Sequence, residues 1–209
     1  MKQLGPTELK RLHRSWQRRT PQRLALLLDG VQSPYNVGAI VRTAAALRVE
    51  HLYLAGGAPA PNHAKAGKTA MGTERYVTWS DEGRGVDAVA RAVADGYVVV
   101  GLELAAGAAP LHDLDVSAEA AVCLAVGHED HGLSPATLAA CHLVAFIPQL
   151  GRVGSLNVAT ATAIGLYELR RRSWTGADAS GSGPGDTVDD PALADATDGF
   201  RSGPDQPRS

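Results

Sequence analysis

LALLLDGVQSPYNVGAIVRTAAAL, residues 24–47, places a strand, a turn and a helix in direct succession. Leu24–Leu28 is a short apolar run that stops at Asp29-Gly30, which is typical of a buried strand followed by a turn. Ser33-Pro34-Tyr35-Asn36 then opens a helix over the rest of the stretch, with Asn36 able to act as its N-cap. A buried strand that leads directly into a helix favours an α/β fold.

The same alternation continues to about Arg172. Further strands are predicted at His51–Ala55, Tyr97–Glu103, Ala121–Val126 and Leu143–Ile147, and further helices at Val86–Ala94, Pro135–Ala140 and Asn157–Arg172. This order indicates a mostly parallel sheet with helices on both faces. The stretch 56–67 is rich in Gly, Ala, Pro and Asn and is predicted to be a surface loop. Ordinary connection rules favour an unknotted, doubly wound sheet.

Three polar clusters follow apolar runs of this pattern. The first is Asn36-Val37-Gly38 with Arg42, the second is Gly127-His128-Glu129-Asp130-His131-Gly132-Leu133, and the third runs from Ile147-Pro148-Gln149 to Ser155-Leu156-Asn157. Loops at the carboxyl ends of parallel strands converge on one crevice. The three clusters are therefore expected to share one pocket.

In order and spacing, the three clusters resemble the motifs of the SpoU/TrmH branch of the SPOUT superfamily, AdoMet-dependent RNA ribose 2′-O-methyltransferases. The resemblance extends from about Leu24 to Arg172. It implies a deep trefoil knot, with the last helix threaded under a loop, and a homodimer in which each site is completed by Arg42 facing the partner's cofactor. Two residues depart from the family pattern: Asp130 stands where a small or uncharged residue is usual, and Gln149 where Met often follows the proline.

The resemblance also assigns roles to residues of this chain. The implied catalytic residues are Asn36, Arg42, Glu129, Ser155 and Asn157. S-adenosyl-L-methionine is the implied cofactor, and the residues expected to bind it are Leu104, Gly127, Ile147 and Leu156. Leu104 is included by family analogy alone, and Arg152 is an implied RNA contact.

Arg42 lies in an otherwise apolar stretch, where a lone Arg usually reaches solvent or pairs with a carboxylate. Family schemes often make this Arg the base that removes the 2′-hydroxyl proton, but a guanidinium does not deprotonate readily. We therefore expect Arg42 to hold an RNA phosphate and to polarise the hydroxyl, with Asn36 fixing its direction. Glu129 is expected to accept a hydrogen bond from Arg42 or the substrate, and a solvated loop carboxylate is the alternative.

Charge is segregated along the chain. Residues 1–23 carry seven Lys or Arg against one Glu, whereas residues 175–209 carry seven Asp against two Arg and are rich in Gly, Pro and Ser. The sequence thus predicts a basic extension (1–23), a methyltransferase domain (24–174) and a disordered acidic tail (175–209).

The basic extension is predicted to bind RNA phosphates rather than to be only a solvated surface. The residues expected to do so are Lys10, Arg11, Arg14, Arg18 and Arg19, and the footprint is expected to extend to Lys68, Arg75 and Arg84.

Several classes of protein are disfavoured. No apolar run reaches the roughly 18 residues of a membrane span, and the start has no signal-peptide core, so a cytoplasmic protein is expected. His128 and His131 are three residues apart in a loop rather than four apart on a helix, which argues against a zinc site.

Cys123 and Cys141 are expected to be reduced thiols. No G-x-G-x-x-G follows the first strand, which disfavours a nicotinamide-dependent enzyme.

Three functions remain open. Methylation of a guanosine in the tRNA D-loop is favoured, and methylation of ribosomal RNA, including sites that confer antibiotic resistance, is the alternative. DNA is not an expected partner. A catalytically silent RNA-binding protein of the same fold is the third possibility, and the presence of all five implied catalytic residues argues against it.

Overall fold

The computed structural model describes residues 3–179. They fall into two units that are described separately: residues 22–174, which carry the sheet, and a second unit that includes residues 3–21. The strands are Leu24–Asp29 (β1), His51–Ala55 (β2), Thr78–Asp81 (β3), Val98–Leu102 (β4), Ala109–Pro110 (β5), Val122–Gly127 (β6) and Leu143–Phe146 (β7). The helices are Pro6–Arg18 (α1), Pro34–Ala46 (α2), Ala64–Ala70 (α3), Gly85–Ala94 (α4), Pro135–Ala140 (α5) and Val158–Ala179 (α6).

The seven strands form one sheet in the order β3-β2-β1-β6-β4-β7-β5, and every paired neighbour is parallel. All residues of β1 and β6 are buried. Alternate residues of β1 serve the two faces: Leu24, Leu26 and Leu28 pack in one core cluster, and Ala25 and Leu27 in the other. The near-continuous apolar runs are thus explained by helices covering both faces, as in other parallel sheets.

The helix-start signal at residues 33–36 was assigned to the wrong residue. Ser33, not Asn36, is the N-cap of α2: its Oγ accepts a hydrogen bond from the Asn36 backbone N–H at 3.4 Å. Pro34 then occupies the first helical position, where its missing N–H costs nothing. Because Asn36 lies inside the first turn, its side chain is available for other contacts.

The predicted strands and helices are present with ends shifted by a residue or two, apart from α6. β3 and β5 were not predicted, because β3 is largely exposed and β5 has only two residues. α3 begins inside the stretch 56–67, which was predicted to be a loop. The helix was missed because its buried face consists only of Ala66 and Ala70, which give little amphipathic contrast. α6 continues seven residues past Arg172 and enters the predicted acidic tail, of which residues 180–209 lie outside the described residues.

α6 is fastened on two sides within residues 22–174. A Cβ on Gly165 would lie 2.8 Å from Leu124 Cδ2, so the helix backbone packs directly on β6. The Arg172 guanidinium donates hydrogen bonds to the carbonyls of Leu114 and Val116, in the connection between β4 and β6. α6 thus contacts both the sheet and this connection, and its threading into a trefoil knot remains a prediction.

Within residues 3–179 no helix is both long and apolar enough to cross a membrane.

Cys123 and Cys141 are free, and burial raises the pKa of both thiols, that of Cys141 to about 11.

Candidate active site

The sheet order brings the polar clusters to one edge. β1, β6, β4 and β7 are consecutive neighbours, and their carboxyl ends lie at Asp29, Gly127, Leu102 and Phe146. The segments that follow these four ends carry the first cluster, the second cluster, Glu103 with Leu104, and the third cluster. Convergence of the clusters therefore follows from parallel pairing.

One chain of hydrogen bonds joins the three clusters. Asn36 Nδ2 donates to Glu129 Oε1 at 2.8 Å, and Asn157 Nδ2 donates to Asn36 Oδ1 at 3.1 Å. Both ends of the Asn36 amide are thus engaged, one with the second cluster and the other with the third. Residues separated by 93 and 121 positions in sequence are fixed to one another by this amide.

The Glu129 carboxylate is held by three donors from the β1–α2 region. Besides Asn36, the backbone N–H groups of Gln32 and Ser33 donate to it at 2.9 and 3.0 Å. Partial burial acts to raise the pKa of the Glu129 carboxyl, but these hydrogen bonds outweigh burial and leave the pKa below its usual value. Glu129 is therefore an ionised hydrogen-bond acceptor at neutral pH and a poor proton acceptor.

Asn157 serves the helix that follows it. Its Oδ1 accepts hydrogen bonds from the backbone N–H groups of Ala159 at 2.9 Å and Thr160 at 3.3 Å, as an N-cap side chain does. Its Nδ2 is then directed to Asn36. The start of α6 and the start of α2 are thereby tied together by two amide side chains.

The second cluster is a tight turn. His128 and Gly132 exchange two backbone hydrogen bonds of 2.9 Å, and Gly132 has a φ of 69°, which favours glycine. A Cβ on Gly127 would collide with the backbone of Gly132 and Leu133, so this position also requires glycine.

Glu103 supports this turn and was not predicted as a site residue. Its carboxylate accepts hydrogen bonds from the backbone N–H groups of Leu133 at 3.0 Å and Leu104 at 3.1 Å. The sequence could have indicated Glu103 as a site residue, because Glu103, like Asp29, is a charged residue at the end of an apolar run. The Asp29 carboxylate is buried and accepts a hydrogen bond from Ser134 N at 3.0 Å.

A cavity of about 310 Å³ opens beside these loops. All four predicted cofactor-binding residues, Leu104, Gly127, Ile147 and Leu156, line it. Two of the predicted catalytic residues, Glu129 and Ser155, line it as well. Asn36 and Asn157 do not line it, but Asn36 donates to Glu129 and accepts from Asn157. Its remaining lining residues are Leu102, Glu103, Val126, His128, Asp130, His131, Gly132, Phe146, Gln149, Gly154, Val158 and Ala161.

His128 and His131 lie on the wall of this cavity. Their rings are stacked with centroids 4.8 Å apart, and His128 Nδ1 accepts a hydrogen bond from Asp130 N at 3.0 Å. Among the residues that the structure describes, no group of three or more His, Cys, Asp or Glu side chains is arranged to hold a metal ion. Independence from metal remains a prediction.

Arg42 does not line the cavity of its own chain. It is six positions after Asn36 in α2, which turns the two side chains about 120° apart around the helix. Arg42 is exposed, and its Nη1 contacts Met71 Sδ at 2.7 Å. Within the described residues the Glu129 carboxylate accepts from Asn36 and two backbone amides and not from Arg42, so the expected bond from Arg42 or the substrate stays a prediction.

The predicted RNA contacts are all exposed. Arg152 lies in the segment before α6, near the cavity-lining residues Gly154 and Ser155 in sequence. In the separate N-terminal unit, α1 carries Lys10, Arg11, Arg14 and Arg18, with Arg19 at its C-cap, and none of the five is buried. The basic extension is thus a helix rather than an extended arm.

Comparison with known proteins identifies the family of this chain. The model of the SpoU rRNA Methylase family matches residues 23–167. The chain belongs to this family. It is 35% identical over 152 residues to the 23S rRNA (guanosine-2′-O-)-methyltransferase of Acinetobacter baylyi, covering 72% of this chain and 60% of that protein. It is 30% identical over 169 residues to the tRNA (guanosine(18)-2′-O)-methyltransferase of Escherichia coli, covering 81% of this chain and 72% of that protein.

Solved structures of SpoU relatives share the fold. The AdoMet-bound rRNA methyltransferase from Sinorhizobium meliloti superposes with a TM-score of 0.66 at 31% identity, covering 75% of this chain and 59% of that one. The expected family and the α/β fold are thereby confirmed. The match spans about three fifths of the Acinetobacter and Sinorhizobium proteins.

Proposed function

We propose that this protein transfers a methyl group from S-adenosyl-L-methionine to a ribose 2′-hydroxyl of structured RNA. The observation that carries the proposal is the hydrogen-bond chain from Glu129 through Asn36 to Asn157, which fixes three loops around one cavity. Preorganised loops of this kind favour a transfer reaction governed by positioning of the reactants rather than by a covalent enzyme intermediate.

The cavity suits the cofactor. Its volume of about 310 Å³ is in the range of small-molecule sites, and such sites combine apolar walls with a few polar groups. Leu104, Ile147 and Leu156 provide apolar walls for a flat base, and the absence of a side chain at Gly127 lets a ligand approach the backbone. When bound, AdoMet supplies an electrophilic methyl group on a sulfonium.

The protein groups would act on the acceptor. Glu129 cannot serve as an efficient base, because its pKa is lowered and its oxygens already accept three hydrogen bonds. Ser155 is exposed on the cavity wall and can orient the 2′-hydroxyl. Arg42 would hold the adjoining phosphate and polarise the hydroxyl, as a permanently charged guanidinium can.

The position of Arg42 favours a homodimer. Arg42 lies on another face of α2 than Asn36, so it reaches a cavity most directly on a second copy of the chain. Apolar side chains that a second copy would cover are present on α2 and α6, namely Tyr35, Ile164 and Tyr167, which are 50%, 40% and 54% exposed. In the dimer that we propose, these helices pair symmetrically and Arg42 acts at the partner's cavity.

The acceptor we favour is a tRNA guanosine in the D-loop, and 23S rRNA is the alternative. Both are supported by relatives: the Escherichia coli protein is named for guanosine 18 of tRNA and the Acinetobacter protein for 23S rRNA. The test is mass spectrometry of nucleosides from tRNA and rRNA of cells with and without the gene. Loss of a 2′-O-methylguanosine from tRNA supports the first reading, and loss from 23S rRNA supports the second.

A catalytically silent RNA-binding protein is the competing function. Calorimetry separates the two: we expect AdoMet to bind with micromolar affinity, and the binding to persist in EDTA. A protein that binds RNA but not AdoMet would be of the silent kind.

A further inference from the structure

The segment Met71–Tyr76, which joins α3 to β3, carries exposed side chains that the cavity does not use. Met71 and Tyr76 are 68% and 64% exposed. The Arg75 guanidinium lies 4.8 Å from the centre of the Tyr76 ring and donates a hydrogen bond to the Tyr76 hydroxyl at 2.8 Å. An aromatic ring and a guanidinium held together at the surface provide two flat groups on which a nucleobase can stack.

This segment is fixed to the helix that carries Arg42. Thr69 Oγ1 donates to the Tyr35 carbonyl at 3.0 Å, and a Cβ on Gly38 would collide with Thr69 and Ala66, so α3 packs tightly on α2. Arg42 Nη1 contacts Met71 Sδ. A ligand on Tyr76 therefore lies on the side of the molecule where Arg42 is exposed.

The backbone at Met71 turns at the end of α3. Met71 is the C-cap of this helix and has a φ of 52°, in the left-handed region in which many helices end. The Met71 side chain is exposed and contacts Arg42 Nη1.

Several arginines of the domain are paired with carboxylates, whereas the cations on this surface are not. Arg23, Arg84, Arg91 and Arg171 each form an ion pair with a nearby carboxylate. Within the described residues, Arg42, Lys65, Lys68 and Arg75 form none. Lys65 and Lys68 are exposed three residues apart on α3, which places them on one face. Cations without carboxylate partners beside a stacking group are complementary to a polyanion with accessible bases.

We propose that Tyr76 and Arg75, with Lys68 and Arg42, bind single-stranded nucleotides adjoining the methylated ribose. The base of one unpaired nucleotide stacks on Tyr76 and Arg75, and the flanking phosphates contact Lys68 and Arg42. Arg84 is excluded from this surface, because both arms of its guanidinium bond to Asp87. The inference rests on the proposed RNA substrate and selects loops over duplexes as the form that is recognised.

The test compares Tyr76→Leu with Tyr76→Trp, using filter binding to a tRNA transcript and to a fully paired RNA of equal length, from low to physiological salt. Tyr76→Leu is expected to weaken binding to the transcript roughly tenfold, the loss of one stacked base, and Tyr76→Trp to restore it. Lys68→Ala, which removes a phosphate contact, is expected to lower the slope of log affinity against log salt by about one. Arg75→Ala, which removes a stacking group, is expected to weaken binding with a smaller change in that slope. Arg91→Ala, a change in an exposed Arg that is paired with Asp95, is the matched control and should change neither quantity.

Two further readouts, AdoMet affinity and sedimentation, make the result decisive. AdoMet affinity of Tyr76→Leu should equal that of the wild type, and its sedimentation should be unchanged. The inference is overturned if Tyr76→Leu binds the transcript like the wild type, weakens transcript and duplex equally, or shifts the protein to a smaller oligomer, which would assign Tyr76 to a contact between copies. A wild-type protein that binds no RNA would instead overturn the proposed function.

Discussion

Asn36 joins the three motifs through one side chain. Its Nδ2 donates to Glu129 and its Oδ1 accepts from Asn157, so an amide is the only side-chain type of this size that provides both a donor and an acceptor here. The isosteric Asn36→Asp change therefore tests the arrangement without altering its shape.

In Asn36→Asp, two carboxylates would face each other at the 2.8 Å contact with Glu129. One of them should bind a proton, with a pKa raised above its unfolded value of about 4. A raised folded pKa gives stability that is present at acidic pH and lost as pH rises through that pKa. We expect the free energy of unfolding of Asn36→Asp to fall by about 1–2 kcal/mol from pH 5 to pH 8, relative to the wild type. Urea unfolding at both pH values measures it, with Asn36→Ala as the control that shows no such relative fall.

The catalytic role of Arg42 can be tested separately from binding of the cofactor. Arg42→Ala is expected to lower the single-turnover rate at saturating RNA more than tenfold, a barrier increase above about 1.4 kcal/mol, while AdoMet affinity stays near that of the wild type. The reason is that Arg42 is not among the residues that line the cavity, and in the proposed function it contacts the acceptor RNA. Arg91→Ala, a change in a paired surface Arg, is the control. Retention of more than a tenth of the rate would remove Arg42 from catalysis.

Among the helices, α6 depends on an unusual buried charge. Arg170 is 2% exposed and donates to the carbonyls of Leu47, Gln22 and Arg48 at 2.8, 2.6 and 2.7 Å. Burial lowers its pKa to about 10, so it is still protonated at neutral pH. These bonds link α6 to the end of α2 and to the residues before β1.

Arg170→Met keeps most of the side-chain volume and removes all three hydrogen bonds. We expect it to lower the free energy of unfolding by roughly 3 kcal/mol, because buried carbonyls lose a charged donor. The neighbouring Arg171 forms an exposed ion pair with Glu168, and Arg171→Ala should cost less than about 1 kcal/mol. Chemical denaturation of both variants measures the difference, and equal losses would show that Arg170 does not fasten the helix.

Helix α1 should contribute affinity rather than chemistry. Five exposed Lys and Arg side chains lie on it or at its end, so removal of residues 1–19 should weaken RNA binding and flatten its salt dependence. The single-turnover rate at saturating RNA should persist. Filter binding over a salt series, combined with rapid-quench rates, separates the two effects. A truncated protein with normal affinity and a reduced rate would contradict this division.

The sheet and the convergence of the motifs were predictable because both depend on strong local signals. β1 is a continuous apolar run, and parallel pairing alone directs the residues after β1, β6 and β7 to one edge. α3 was missed because alanine gives little amphipathic contrast, and Ser33 was missed as a cap because Asn36 is an equally good capping residue. The direction of the Arg42 side chain could be predicted in part. Arg42 is six helical positions after Asn36, so the two side chains point to different sides of α2. Its contact with Met71 depends on tertiary packing.

The central proposal for the described residues is that the cavity and its three loops position the reactants for methyl transfer to a ribose 2′-hydroxyl. The direct test incubates the purified protein with methyl-labelled AdoMet and unmodified tRNA and 23S rRNA transcripts, then digests the RNA to nucleosides and separates them. We predict label in a 2′-O-methylnucleoside, more than tenfold less label with Arg42→Ala, and no loss of label in EDTA. Label on a base, or no label in either RNA under conditions where AdoMet binds, would contradict the claim.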